Sequence, residues 1–184
     1  MADSAEVIEA REKTNDKEFF KERVKTMPLL IEWANDEIRD DKEVLLEAVK
    51  VDGGALEFAS SRLKDDKELL IASVQQAGWT GCYASERLLD DKEVIMEAVK
   101  KDGQILYYAS SRLRDDNDVV MEAIKNKPII FKYASLRLRS DKEYAKLAMT
   151  LGMEKAKRYI ITIYQSLSEE LQNDDEIKKI MNPE

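Results

Sequence analysis

The amino-acid sequence predicts an all-α fold, an α-solenoid of about six to seven helix-turn-helix repeats of 25 residues each. Only 6 glycines and 3 prolines occur among 184 residues, which disfavours a turn-rich β fold. The triplet Asp-Lys-Glu recurs every 25 residues, beginning at Asp16, Asp41, Asp66, Asp91 and Asp141, and the variant Asp116-Asn117-Asp118 fills the gap. Such short helix pairs cannot bury their apolar faces alone, so the units are expected to stack.

The repeat at residues 40–65 shows the two predicted helices. Asp40 is the expected N-cap of the first helix, with Glu43 three residues later as in a capping box. The inner face of this helix carries Val44, Leu45, Ala48 and Val49. Gly53 is expected to end it in a left-handed conformation. A second helix is then predicted from about Gly54 to Leu63, and Asp65 is expected to cap the next repeat.

A second pattern lies in the same phase as the triplet. An aromatic residue recurs at Trp33, Phe58, Tyr83, Tyr108 and Tyr133, and the last four are each followed by Ala-Ser. Helical geometry places these aromatics on one side of the inner face, opposite a flank of small residues such as Gly53 and Ser60. We expect each ring to lie over the small flank of an adjacent repeat, as part of the core.

The periodicity divides the chain into three segments. Residues 1–15 are expected to form an N-terminal cap or flexible segment, and residues 16–140 five repeats. Residues 141–184 are expected to form a divergent sixth repeat and C-terminal capping helices. There, Gly152 is predicted to break the first helix, and 153–167 forms a longer second helix.

Composition excludes several classes of function. The net charge of -8 disfavours a nucleic-acid binder. The chain has no histidine and one cysteine, Cys82, so zinc fingers, His-based triads and internal disulfides are not expected, and Cys82 lacks a histidine base. We expect no catalytic residue, no metal and no cofactor. Without a signal peptide or a membrane-spanning run, the predicted location is cytoplasmic.

The consensus Asp-Lys-Glu-Val-x-x-x-Ala-Val-x-x-Asp-Gly-x-x-Leu-x-Tyr-Ala-Ser resembles a tandem two-helix repeat family of unknown function. The resemblance is strongest over residues 41–140. It implies a stacked helical array and, by analogy with other arrays of this kind, a binding role. It supplies no catalytic residues.

Two charged ladders follow the repeat. Arg62, Arg87, Arg112 and Arg137 are expected to cap helix ends and to pair with Asp65, Asp90 and Asp115; a track for an acidic ligand is the alternative. The outward face of the first helices carries Glu43, Glu47, Lys50, Glu93, Glu97, Lys100, Asp118, Glu122 and Lys125. We interpret this second ladder as a solvated face stabilised by Glu–Lys pairs, with a dock for a basic protein as the alternative.

The third repeat departs most from the consensus. Trp79 and Cys82 replace small or polar residues of the second repeat on the side that faces away from the core. An exposed Trp, with Tyr107 in the next repeat, is typical of an interface anchor, although Trp79 folding back over a turn or covering Gly81 is the alternative. The candidate partner-binding residues are Trp79, Cys82, Tyr107, Glu93, Glu97 and Ile129.

The sequence therefore favours a non-catalytic protein–protein interaction module, an adaptor or an inhibitor, whose protein partner has a basic patch. The alternative is a structural array that assembles with itself through its ends. The charged segment 174–184 favours a closed end and hence a monomer. An enzyme is not expected, because paired carboxylates recur in every repeat whereas an active site is built once.

Overall fold

A computed structural model describes residues 4–155 and 157–182, and these are helical with no β-strand. The chain forms two compact units, Met1–Leu88 and Leu89–Glu184. In the first unit lie α1 (Ala5–Glu12), α2 (Lys17–Arg23), α3 (Asp36–Arg39), α4 (Lys42–Val51), α5 (Ser61–Lys64) and α6 (Lys67–Gln76), and 3₁₀ helices at Pro28–Trp33, Gly53–Phe58 and Gly78–Tyr83. The predicted all-α tandem-repeat class is confirmed.

The second unit continues the same order of elements. Between the units in sequence lies α7 (Glu86–Leu89). The second unit contains α8 (Lys92–Lys101), α9 (Asn117–Asn126), α10 (Leu136–Arg139), α11 (Lys142–Lys155), α12 (Lys157–Ser166), α13 (Glu169–Gln172) and α14 (Asp175–Met181), and 3₁₀ helices at Gly103–Tyr107, Leu113–Asp115 and Pro128–Tyr133.

Each repeat begins one residue later than predicted. The N-cap of α4 is Asp41, whose Oδ1 accepts hydrogen bonds from the backbone N–H groups of Glu43 and Val44 at 3.0 and 3.2 Å. Asp40 ends the preceding one-turn helix, α3. The predicted caps at Asp40 and Asp65 are therefore wrong, because these carboxylates bind side chains of the following repeat instead.

The predicted continuous second helix, Gly54 to Leu63, is also wrong. The chain forms a 3₁₀ helix, leaves helical geometry at Ala59 (φ −63°, ψ 152°), and then forms the single turn α5. Ser60 causes the interruption because its hydroxyl accepts the N–H of Leu63 at 3.2 Å, which starts a new helix. Side chains three residues apart eclipse in a 3₁₀ helix, so they share one face.

The core is built from the same positions in the second to fifth repeats, with polar Ser73 and Thr80 at two of these positions in the third. The long helix contributes two adjacent pairs of apolar residues, and the 3₁₀ helix contributes its two middle residues. In the second repeat these are Val44, Leu45, Ala48, Val49, Ala55 and Leu56, all fully buried. Removing a Val or Leu side chain from water contributes about 1.5–3 kcal/mol each, which makes this stripe the main source of stability.

Close packing requires glycine at the start of two of the 3₁₀ helices, at Gly53 and Gly103. No glycine among the described residues has a positive φ, so the expected left-handed cap at Gly53 is wrong. An ideal Cβ on Gly53 would lie 2.4 Å from the carbonyl oxygen of Ser73 in the next long helix. Likewise, an ideal Cβ on Gly103 would lie 2.6 Å from the carbonyl oxygen of Ala123.

The C-terminal end follows a modified plan. Helix α11 continues through Gly152, so the predicted break is wrong. A Cβ on Gly152 would come 2.8 Å from Ile163 Cδ1, so α11 and α12 pack closely at this position. The longer second helix was predicted over 153–167, but α12 begins at Lys157, and the residues from Met153 to Lys155 belong to α11. Asp174 then caps α14 in the way that Asp41 caps α4.

Successive repeats are joined through four carboxylates, Asp40, Asp65, Asp90 and Asp115, which we call the junction aspartates. Each accepts a hydrogen bond from the serine hydroxyl 20 residues later and from the arginine Nε 22 residues later. Arg62 Nε lies 3.0 Å from Asp40 Oδ1, and its Nη2 lies 2.7 Å from the Asp40 carbonyl oxygen. The predicted pairing of each arginine with the aspartate that follows it is therefore wrong.

The lysine of the Asp-Lys-Glu triplet makes a second link between repeats. Lys42 Nζ lies 2.8 Å from Asp66 Oδ2 and 2.8 Å from Glu68 Oε2. Lys92 binds Asp116 and Asp118 in the same way, at 2.9 and 2.8 Å. In the triplet, the aspartate thus caps its own helix, and the lysine forms an ion pair with the aspartate that caps the long helix of the next repeat.

Substitution of the two adjacent glycines tests the close packing. Gly53→Ala should lower the free energy of unfolding by about 1–3 kcal/mol, because the new Cβ overlaps a backbone oxygen that cannot move freely. Gly54→Ala is the matched control, since its nearest neighbour is the side chain of Asp52 at 3.1 Å. It should change the free energy by less than about 1 kcal/mol. Equal effects in urea denaturation would contradict the packing explanation.

The junction aspartates should make stability depend on pH at the acid end. The serine hydroxyl and then the arginine hold the pKa of Asp40 and of Asp65 below the usual 3.8. A lowered folded-state pKa stabilises the fold above the unfolded value, and this contribution is lost as the pH falls through the folded value. The free energy of unfolding should therefore decline below pH 3.8.

The double substitution Asp40→Asn/Asp65→Asn should make this decline shallower, because neither side chain can then take up a proton. Asp36→Asn is the control, since Asp36 makes no inter-repeat hydrogen bond through its side chain. Urea denaturation followed by circular dichroism across the acid range measures the slope. A slope equal to that of the parent protein would contradict the role of these carboxylates.

Candidate functional site

In each unit, the outward positions of the main 3₁₀ helices form the candidate site, and we call this set of positions the 3₁₀ face. They are the second and fifth residues of each helix: Leu29 and Glu32, Gly54 and Glu57, Trp79 and Cys82, Gln104 and Tyr107, Ile129 and Lys132. The 3₁₀ geometry places each pair on one side, while the two residues between them are buried. These outward positions hold a different pair in every repeat, and the buried pair between them also differs, for example Ala55-Leu56 and Thr80-Gly81.

Trp79 faces solvent, as the helical phase predicts. Its side chain is 44% exposed. The ring lies over Gly54 of the preceding repeat, with Cη2 3.6 Å from the place of an ideal Cβ, and packs edge-to-face on Tyr83 with centroids 5.9 Å apart. Trp79 is therefore held in one orientation with much of its ring uncovered.

Polar groups replace apolar core residues beneath Trp79. Ser73 and Thr80 are fully buried, at positions where the second repeat has alanine. Ser73 Oγ lies 2.8 Å from the Gly53 carbonyl oxygen and 2.7 Å from Thr80 Oγ1. The two hydroxyls satisfy each other and the backbone, which offsets the cost of burying them.

Cys82 is exposed beside Trp79 on the same face. Partial burial of the sulfur, and then the nearby carboxylate of Glu57, raise the pKa of the Cys82 thiol above its usual 9.0. The thiol is therefore largely protonated at neutral pH, which makes it a weak nucleophile.

The aromatic ladder packs differently from the prediction. Tyr83 OH donates to Glu57 Oε2 at 2.8 Å, and the ring of Tyr133 packs against Tyr107 with centroids 4.7 Å apart. Each of these rings thus meets an outward residue of the preceding 3₁₀ helix. The expected contact with the small flank is wrong, because Gly53 is covered by the next long helix and Ser60 by Asp40.

Tyr107 and Ile129 line one groove of about 250 Å³ in the second unit, which we call the Tyr107 groove. Tyr107 is 50% exposed and also packs on Tyr108 with centroids 4.9 Å apart. The charged side chains of this groove are both lysines, Lys127 and Lys132. Lys127 Nζ donates to Gln104 Oε1 at 2.8 Å. Tyr107 and Ile129, two of the six candidate residues, therefore share this groove.

Glu93 and Glu97 lie on α8, away from the 3₁₀ face. Glu97 pairs with Lys100 at 2.7 Å, and Glu47 pairs with Lys50 at 2.9 Å. These pairs support the interpretation of the long-helix surface as a solvated, locally neutralised face. Exposed pairs of this kind contribute little energy, on the order of 0–1 kcal/mol each.

A second groove of about 330 Å³ lies in the first unit and was missed by the sequence reasoning; we call it the Leu29 groove. Its lining is mainly apolar and consists of Val7, Met27, Pro28, Leu29, Leu30 and Trp33, with Glu32 and Asp52. Leu29 is 47% exposed. The signal was available, because Pro28-Leu29 occupies the same repeat positions as Gly78-Trp79.

The described residues offer few other functional features. Within residues 4–155 and 157–182, no group of Cys, Asp or Glu side chains is arranged to hold a metal ion. None of the helices in these segments has the length and apolar character needed to cross a lipid bilayer.

The fold and the repeated contacts define a tandem helical-repeat protein. A family model described as a domain of unknown function, DUF4116, matches residues 16–61, 41–89, 82–114, 91–139 and 116–152. These matches cover most of the chain, which therefore belongs to this family. Neither the curated proteins nor the solved structures contain a significant match to the chain.

The reactivity of Cys82 tests this local geometry. The thiol should react with an aromatic disulfide reagent more slowly than free cysteine, because its raised pKa lowers the fraction of thiolate. Glu57→Gln should speed the reaction a few-fold by removing the nearby charge, whereas Glu86→Gln should leave it unchanged. A thiol faster than free cysteine would show that the site is arranged otherwise.

Proposed function

We propose that the protein is a non-catalytic interaction module that binds another protein through its 3₁₀ face. One observation carries this proposal. Large apolar side chains are exposed at the outward 3₁₀ positions in both units, at Leu29, Trp79 and Tyr107. The long helices α4 and α8 carry the ion pairs Glu47–Lys50 and Glu97–Lys100. The other exposed large apolar side chains of the described residues lie singly on four different helices: Ile8, Val51, Leu136 and Ile161.

Exposed rings at fixed positions favour binding for two physical reasons. Trp and Tyr are the residues that most often dominate the energy of protein interfaces, since they bury a large area and can still donate a hydrogen bond. Both rings here are held by aromatic neighbours, Tyr83 for Trp79 and Tyr133 for Tyr107. Less side-chain entropy is lost when a partner covers a ring that is already fixed.

A non-catalytic role is supported by the chemistry of the ionisable groups. The carboxylates with the most hydrogen bonds are the junction aspartates and the helix caps, and both recur in the successive repeats of each unit. The lowered pKa values of the junction aspartates follow from their structural partners, which makes these carboxylates poor proton acceptors at neutral pH. Cys82 has no histidine in the chain to activate it.

Self-assembly is the competing function, since the same exposed side chains could bind a second copy. Sedimentation velocity over a wide concentration range separates the two. A monomer at all concentrations supports the binding of a different protein, and a concentration-dependent oligomer supports self-assembly.

Substitutions on the 3₁₀ face should weaken partner capture, whereas a substitution on the long-helix face should not. Trp79→Ala or Tyr107→Ala, tested separately, should lower the affinity for a captured partner about 30-fold or more. This is the effect of losing an interface anchor that contributes roughly 2 kcal/mol. Glu97→Lys, on the long-helix face, should leave capture unchanged. The assay is affinity capture from the native host, with each retained protein quantified by mass spectrometry.

Circular dichroism melting provides the folding control, because both rings are half exposed and their loss should barely affect stability. Capture that survives both substitutions but is lost in Glu97→Lys would move the binding surface to the long helices. That result would contradict the proposal.

A further inference from the structure

We propose that the Leu29 groove binds a short peptide segment that presents one large apolar side chain beside a lysine or arginine. The inference rests on the proposed function, since it assigns the chemistry of the partner at one part of the 3₁₀ face. Two features carry it: the apolar floor and the sign of the charges at the rim.

The floor of the groove suits an apolar side chain. The 3₁₀ helix Pro28–Trp33 supplies most of the lining, and Val7 of α1 adds to it. Its volume of about 330 Å³ is at the lower end of the range for small-ligand pockets, roughly 300–1,000 Å³. Leu29 remains 47% exposed at its edge, so an entering side chain would cover apolar surface that now faces water.

The rim of the groove selects for positive charge. The two ionisable side chains among the lining residues are Glu32 and Asp52, both carboxylates. Glu32 is exposed, and Asp52 Oδ1 accepts the N–H of Gly54 at 2.8 Å. With no lysine or arginine in the lining, a cation beside the apolar side chain would be attracted from both positions.

One aromatic ring that lines the groove is already covered by an arginine of the chain itself. The guanidinium of Arg11 lies 4.0 Å from the ring centroid of Trp33, one of the lining residues. This contact is a cation–π interaction, in which the electron-rich face of an indole attracts a guanidinium. Because Arg11 already covers this face of the indole, the attraction for an incoming cation is assigned to the carboxylates of Glu32 and Asp52.

A second copy of the chain is a less suitable occupant. The net charge of -8 makes two copies repel each other, and a basic segment avoids this cost. The Tyr107 groove carries lysines in the place of these carboxylates, so the preference for a basic peptide is expected of the Leu29 groove alone.

A titration of the ¹⁵N-labelled full chain with three synthetic peptides tests the inference by NMR. The probes are Gly-Ser-Arg-Phe-Arg-Ser-Gly, its analogue with glutamate in place of both arginines, and its analogue with alanine in place of phenylalanine. The first peptide should shift the amide resonances of Leu29, Leu30 and Trp33 saturably. Each analogue should bind at least about tenfold more weakly, because it lacks either the charge or the apolar anchor.

Two variants and a matched control locate the effect. Glu32→Lys should reverse the preference toward the glutamate peptide, and Leu29→Ser should weaken binding of both peptides. Glu37→Lys is the control: it makes the same charge change at an exposed position on α3, outside the groove lining and outside the 3₁₀ face. Both test residues are exposed, and an unchanged melting temperature will confirm that the variants fold.

The outcomes separate this inference from the proposed function. Equal affinity for the arginine and glutamate peptides, or an effect of Glu37→Lys equal to that of Glu32→Lys, would overturn it. Peptide-induced shifts confined to Trp79 or Tyr107 would overturn it and leave the proposed function standing. Shifts at Leu29 that grow with protein concentration alone would identify a second copy as the occupant.

Discussion

The carboxylate that ends each repeat is the interaction on which the rest of the structure depends. Asp40 binds the hydroxyl of Ser60 and the guanidinium of Arg62, and Asp90 does the same for Ser110 and Arg112. Because the partners lie 20 and 22 residues ahead, the junction fixes the place where the next one-turn helix starts. That placement brings the following long helix against the first residue of the 3₁₀ helix. Where the long helix passes as close as it does at Gly53, only glycine fits.

This arrangement separates the positions that hold the fold from the positions that are free to differ. The caps, the junction contacts and the apolar stripe occupy almost every constant position of the repeat. The outward pair on each 3₁₀ helix contributes little to the core, so a bulky ring, an aliphatic side chain or a charge is tolerated there. The third repeat shows the cost of greater change: beneath Trp79, Ser73 and Thr80 need a hydrogen-bonded arrangement in place of simple apolar packing.

The sequence was sufficient for the repeat, its phase and its core, because the 25-residue period and the apolar spacing are both local signals. It was insufficient for the partner of Arg62. In a periodic chain, an arginine that could pair with Asp65 could equally pair with Asp40, and only the stacking geometry decides between them. For the same reason, the N-cap was predicted at Asp40 when it is at Asp41. The interruption at Ala59 was missed because Ala-Ser is compatible with a helix until the Ser60 hydroxyl takes a backbone N–H.

The candidate site was predicted in part for similar reasons. Helical phase identified Trp79 and Tyr107 as outward residues, but it gave no means of seeing that Tyr107 and Ile129 share a groove or that Leu29 edges another. The most direct test of the central claim is photo-crosslinking in the native host. A benzoylphenylalanine would replace Gln104 or Ile129 on the 3₁₀ face, and Glu97 or Lys125 on the long-helix face. Crosslinks to another protein from Gln104 and Ile129 alone are the predicted result, and crosslinks from Glu97 and Lys125 alone would contradict the account.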